Sequence, residues 1–227
     1  MTNHTRLIAR ATARLTGGTD AAGTVAALLE ECIDGLPVDA AGLLVSDGDS
    51  LELLSASSHL ATEIELYQQL HDEGPGIDVV RSGTALQAVG RDELVGHWPV
   101  IGAAIADAGY QAVHDLPLSW RGETYGSLNL FSHEPRTLDD DEMLLAQAFA
   151  DLVSLALART RVGVEDVLDT VRVALDERIT IEQAKGVLSE LTGCHPDEAY
   201  RRLVARSDGG ALVDTAREVV REAQRRD

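Results

Sequence analysis

A chain of 227 residues, 44% hydrophobic and 25% charged, has the balance of a folded, water-soluble protein of one large or two smaller domains. Its 38 acidic residues against 19 basic ones argue against a surface that coats nucleic acid everywhere, and two distant cysteines, Cys32 and Cys194, exclude a disulfide framework or zinc knuckle. No apolar run approaches the roughly 20 residues of a membrane span, and the polar opening "MTNHTRLIARATARL" lacks the core of a signal peptide, so the expected compartment is the cytoplasm.

Residues 5–16 and 20–35 read as helices, the second capped by Thr19 or Asp20. "VDAAGLLVSD" and "LELLSAS" flank the turn "DGDS" and read as an antiparallel hairpin. A helix over about 60–72 follows, then the Gly/Pro loop "EGPGIDVVRSG" leading into a short helix, a short strand "TALQAV", and a helix over 97–109. His97 is expected at an exposed helix start. "YQAVHDLPL" and "ETYGSLNLFS" form a second hairpin, turning at "SWRG". The helix at 137–160 opens with Thr137 at its cap and acids in its first turn. This order predicts an α+β domain with a mostly antiparallel sheet of about five strands.

The closing helix is only weakly interrupted by Gly163. Val164, Val167, Leu168, Val171, Ala174 and Leu175 then recur at three- and four-residue spacing. Such a seam packs either against a second copy, as a short coiled coil, or on its own domain. Three short helices are expected from 180 onward. Thr180 and Gln183 make a capping box for the first, and Pro196 opens the second. Their apolar stripes, Ile181/Ala184/Leu188/Leu191, Ala199/Leu203 and Leu212/Ala216/Val219/Val220, would form a core too small to stand alone. The domains are therefore placed at 1–160, 161–178 (a connecting helix) and 179–227.

The charge is split between these parts. Residues 1–160 hold 8 arginines and 24 acids, whereas residues 178–227 hold 9 basic and 9 acidic groups. The chain's single lysine, Lys185, lies in the second part beside Gly186, in a predicted helix interior. Glycine there costs about 1 kcal/mol relative to alanine, so either a packed helix or a ligand backbone needs the bare position. With the apolar stripe turned inward, Glu182, Lys185 and Ser189 face out. Arg178, Arg201 and Arg202 add to a small cationic surface.

The stretch 174–220 resembles an ANTAR domain, the RNA-binding module of transcription antiterminators. The resemblance rests on Arg178, Ile181, Gln183-Ala184-Lys185-Gly186, the helix start Pro196-Asp197-Glu198-Ala199-Tyr200, Leu203, Leu212 and Ala216. Upstream, "DEGPGIDVVRSG", "HWPVIGAAIADAGYQAVHDLPL" and "GETYGSLNLFS" resemble a GAF sensor domain, of the kind joined to ANTAR in actinobacteria. Together they imply a GAF-like antiparallel sheet flanked by helices, a long connecting helix and a C-terminal three-helix bundle. They imply a homodimer that holds paired RNA hairpins in nascent transcripts, so that a terminator does not form.

By the same resemblance Arg178, Gln183, Ala184, Lys185, Gly186, Arg201, Arg202 and Ser207 are the RNA-surface candidates. The chain departs from the family at Val204 and at Asp208-Gly209-Gly210-Ala211, where basic residues are common, and at His195, where a Ser or Thr cap is usual. These departures remove positive charge and support an alternative: a signalling or dimerisation protein whose tail has lost RNA binding.

GAF domains hold small ligands between the sheet and its helices, which makes Trp98, Tyr110, Asp115, Trp120, Tyr125 and Asn129 the ligand-binding candidates. Burial in the core is the competing reading for each aromatic. No cofactor signature is present: "EGPG" lacks the GxxxxGK[ST] spacing of a phosphate loop. Catalysis has no support either. Cys32 sits among apolar neighbours as a buried thiol would, relatives that reduce oxidised methionine carry several cysteines, and Asp139-Asp140-Asp141-Glu142 reads as a helix-start charge run. Neither catalytic nor metal-ligating residues are expected.

Overall fold

The computed structural model describes residues 3–17, 20–48, 50–158, 164–207 and 210–225. Thr19 and Gly163 lie outside them. Two helices open the chain, α1 (Asn3–Gly17) and α2 (Ala21–Gly35), and Asp20 caps α2 by accepting from the Gly23 amide. The hairpin β1 (Ala40–Ser46) and β2 (Leu51–Ala56) follows. Next come α3 (His59–His71), capped by Ser58, and α4 (Pro75–Ser82), where Pro75 occupies the first turn and Gly74 enters at φ 141°. Of the expected 97–109 helix only α6 (Ile101–Asp107) forms, and a separate short helix, α5 (Arg91–His97), precedes it after the strand β3 (Leu86–Val89). His97 thus ends a helix. The Glu73 carboxylate accepts from the Val100 and Ile101 amides and so caps α6 from a distant loop, which local sequence does not reveal.

β4 (Ala112–Trp120) and β5 (Glu123–Ser132) turn through Arg121 and Gly122, both at positive φ, as a two-residue hairpin requires. The five strands form one antiparallel sheet in the order β2-β1-β5-β4-β3. One face packs on α1, α2 and α7 (Asp140–Ala158) through Leu28, Leu43, Leu128, Leu130 and Phe149. The other packs on α3, α5 and α6 through Ile64, Leu94, Ile101, Val113 and Phe131. Thr137 is not the cap of α7. Asp139 and Glu142 each accept the other's amide, a reciprocal box that fixes the start.

The connecting helix and the first helix of the C-terminal bundle are one element, α8 (Val164–Thr192), about 44 Å long at 1.5 Å per residue. Thr180 does not cap: its hydroxyl donates back to the Asp176 carbonyl, which leaves the helix unbroken. α9 (Pro196–Ser207) and α10 (Leu212–Gln224) complete the bundle around Ile181, Ala184, Leu203, Leu212, Ala216 and Val219. Leu191, expected inside, is exposed.

The bundle leans on the sheet domain. Ala22 of α2 is buried within its core, the Ala22 amide donates to Glu177, and Asp20 accepts from the Leu212 amide at 2.9 Å. Val171 and Ala174 of the predicted seam are buried in the first domain's core, so this part of the seam lies on its own chain. Among the described residues, Val173, Ile179 and Leu191 are the large apolar side chains that α8 leaves exposed. No helix described is long and apolar enough to cross a membrane.

Candidate nucleic-acid interface and buried polar centre

Gly186 sits on an exposed turn of α8, and a Cβ built there meets nothing within 4 Å. Neither a neighbouring helix nor the chain's own packing explains the missing side chain. Gln183, one turn earlier, is also exposed, whereas Ala184 is fully buried in the bundle core.

Lys185, expected to face out, lies in the seam between its own bundle and the first domain. Its side chain is only 13% exposed and binds Glu182 at 2.7 Å. It lines a cleft of about 40 Å³, roughly one or two waters in size, with Arg178, Asp197, Tyr200 and the end of β2 with its connection to α3, Leu54 to Ser58. Arg178 donates to the Leu53 carbonyl of β2 at 2.6 Å, and burial there lowers its pKa. Asp197 closes the same cleft by accepting from the His59 amide at 3.1 Å.

The remaining basic candidates stand apart. Arg201 and Arg202 both bind Glu198, at 3.0 and 2.9 Å, and Ser207 donates to the Val204 carbonyl. The structure therefore does not gather the eight RNA candidates into one surface: Gln183 and Gly186 are open, Lys185 and Arg178 are turned into the domain seam, and Arg201 faces α1 and α2 across a groove. His195 takes over the capping role of a Ser or Thr, its Nδ1 accepting from the Asp197 amide.

The six ligand candidates are likewise divided. Trp120 and Tyr125 pack on the α1/α2/α7 face of the sheet, Trp98 and Tyr110 in the core on the other face. Trp98 donates its indole N–H to Asp78 at 2.8 Å, and Tyr110 stacks on His133. Asp115 and Asn129 pair across β4 and β5 and do come together, with two residues the sequence reading missed. Glu65 of α3 accepts from Asn129 on both carboxylate oxygens and from Gln68 at 2.9 Å, and all four side chains are fully buried.

Burial pushes the Glu65 carboxyl up to about 8 against the hydrogen bonds that favour its ionised form. Burial and then the Glu65 charge push Asp115 well above the carboxylate range, and neither Asp115 oxygen has a hydrogen-bond partner. The Leu130 amide favours its ionised form without reaching hydrogen-bond geometry. Gly76 makes the centre possible, since a Cβ there would sit 2.6 Å from Asn129 Nδ2. The missed signal was a stripe: Ala61, Ile64, Glu65 and Gln68 share one helical face, and two of its four members are polar. Cys32 is buried, with its thiol pKa pushed up by burial, as the sequence suggested. Among the described residues no group of three or more His, Cys, Asp or Glu could hold a metal.

A five-stranded antiparallel sheet with helices on both faces and a buried polar centre beneath α3 is the architecture of a sensor-type domain, and the chain belongs to the GAF domain family, whose model matches residues 20–157. The bundle carrying Lys185 and Gly186 matches the ANTAR domain over residues 169–220. No curated protein matches the chain. Among solved structures, the GAF domain of a Coxiella burnetii phosphoenolpyruvate-protein phosphotransferase is similar at 16% identity and TM-score 0.56, covering 70% of this chain and 95% of that one. The corresponding Acinetobacter domain gives 13%, 0.55, 72% and 99%, and the reduced form of fRMsr from Staphylococcus aureus gives 15%, 0.54, 70% and 97%. At these identities the likeness is one of fold. Both matched domains are regulatory, so the chain is a sensor joined to an ANTAR module.

Proposed function

We propose that this protein is an RNA-binding regulator of transcription antitermination, acting in the cytoplasm as a homodimer, with a small ligand of the GAF half setting the state of the ANTAR half. The observation that carries the reading is Gly186: a bare, exposed helix position with open space above it, beside the chain's only lysine. A helix that tolerates such a residue for no packing partner has kept room for something outside the fold, and a phosphate backbone flanked by an ammonium suits the space. Val173 and Ile179, both exposed on α8, are apolar side chains that a second copy would cover. Single-stranded hairpin loops, whose bases can be splayed and stacked, are the RNA elements that such a small surface reads best.

Lys185 is held by Glu182 and roofed by the β2–α3 connection in the closed arrangement described here. In this reading the sensor's signal loosens that cover. The same cover favours the second reading, a signalling or dimerisation protein with an RNA-silent tail, and one experiment separates the two. The full chain and Lys185→Ala are titrated against a two-hairpin RNA at several salt concentrations. Expected are a loss of about tenfold in the variant, from one charge-assisted phosphate contact, and a salt slope smaller by about one counterion. Equal binding by both proteins, or none by either at low salt, assigns the chain to the second reading.

A further inference from the structure

A groove of about 650 Å³ runs along the seam between the two halves. That size lies within the roughly 300–1,000 Å³ of small-molecule sites, which favour domain interfaces. It adjoins the Lys185 cleft, sharing Ala26 and Tyr200 with it, and shares no lining residue with the Glu65 centre. Ala27, Arg14 and Glu30 of α1 and α2 form one wall, and Arg201 and Val204 of α9 form the other.

The walls present two kinds of charge. Arg10 bridges the nearly buried Glu31 and Asp34, and Arg14 meets Glu31 at 3.4 Å, whereas Arg201 and Arg202 share Glu198, so the α9 wall keeps one net positive charge and Arg14 has only part of one carboxylate. Glu30 lies in the groove between them and makes no ion pair among the described residues. It keeps solvent contact, yet the walls displace enough water to raise its pKa, Asp34 adds to the rise, and Arg201 offsets part of it. Ala27 and the exposed Val204 give the groove an apolar stretch. An anion alone leaves Glu30 unmatched, and a cation alone meets the guanidiniums. We propose that this groove binds a zwitterionic small molecule with an apolar body, its amine at Glu30, its carboxylate at Arg14 and Arg201, and its body on Ala27 and Val204. Val204, a departure from the ANTAR pattern, then has a use: a basic residue there would fill and further charge the groove.

The binding claim shares Arg201 with the RNA-surface candidates but does not require RNA recognition, and its test uses no RNA. Calorimetric titration of the full chain uses three matched probes: L-phenylalanine, phenethylamine and 3-phenylpropionate. Phenylalanine is expected to bind saturably, one per chain, about tenfold tighter than either singly charged probe, as one charge-assisted contact implies. Glu30→Gln should bring phenylalanine down to the level of phenylpropionate. Ala27→Trp, which fills the groove, should abolish binding, and Val204→Arg, at an exposed position, should do the same without touching the core. A titration with no saturable heat for phenylalanine, equal affinity for a singly charged probe, or unchanged binding in both Ala27→Trp and Val204→Arg overturns the proposal and leaves the RNA reading standing.

Discussion

Glu65 holds a proton that the unfolded chain would not. Its folded pKa of about 8 lies above the free value of 4.5, so the fold keeps the proton across a window in which the unfolded state gives it up. The stability contributed by this group is full below pH 4.5 and falls as pH rises through about 8, by at most ~1.4 kcal/mol per pH unit. Asp115, shifted in the same direction by burial, adds to the fall. Glu65→Gln removes the titrating group and keeps its size. Urea unfolding at several pH values between 5 and 8 should therefore show a shallower decline in the variant, and parallel curves would mean that the fold holds Glu65 ionised. A second residue-scale expectation concerns Gly76. The Cβ added by Gly76→Ala meets Asn129 and Ser127 at 2.6 and 2.9 Å, and overpacking at a buried site costs about 1–3 kcal/mol, read as a lower urea midpoint.

At the scale of the element, α8 joins two jobs that compete at one position. Glycine in a helix interior costs about 1 kcal/mol against alanine, and a Cβ at residue 186 meets nothing within 4 Å. Gly186→Ala is expected to raise stability by that amount while it weakens RNA binding, a pairing that thermal unfolding and the hairpin titration check together. A stabilised variant with undiminished RNA affinity would remove the reason given for the glycine. The same helix marks how far the sequence was legible. Sheet, hairpins and several helix starts follow from turn residues and caps close in the chain, such as Asp20, Pro196 and the Arg121-Gly122 turn. The continuity of α8 did not, because Thr180 and Gln183 satisfy a cap pattern that only the packed helix overrules. Lys185 shows the same limit. Periodicity sets the side of the helix on which a residue lies, but what covers that side is a matter of long-range packing, here the connection after β2. Glu65 and Gln68 escaped for the opposite reason: two polar residues on a helix look like a wet face until the strands opposite them are known.

For the molecule as a whole, the seam sets what the ANTAR half can touch. Ala22, buried in the bundle core, is the point where α2 enters that half. Ala22→Arg should wedge the seam open. Faster amide exchange in residues 174–192 is expected, with tighter RNA binding, because the apparent affinity rises with the fraction of molecules whose lysine is uncovered. Faster exchange without tighter binding would show that the seam does not control access. The opening also has a built-in local consequence. α10 begins at Leu212 after Ala211, a residue with no side chain to satisfy the first amides, and the carboxylate that accepts from Leu212 belongs to Asp20, which also accepts from Gly23 at the start of α2. Parting the halves thus strips the last helix of a borrowed stopper, and its first turn is where unwinding should begin, so detachment of the module and fraying of its final helix are one event.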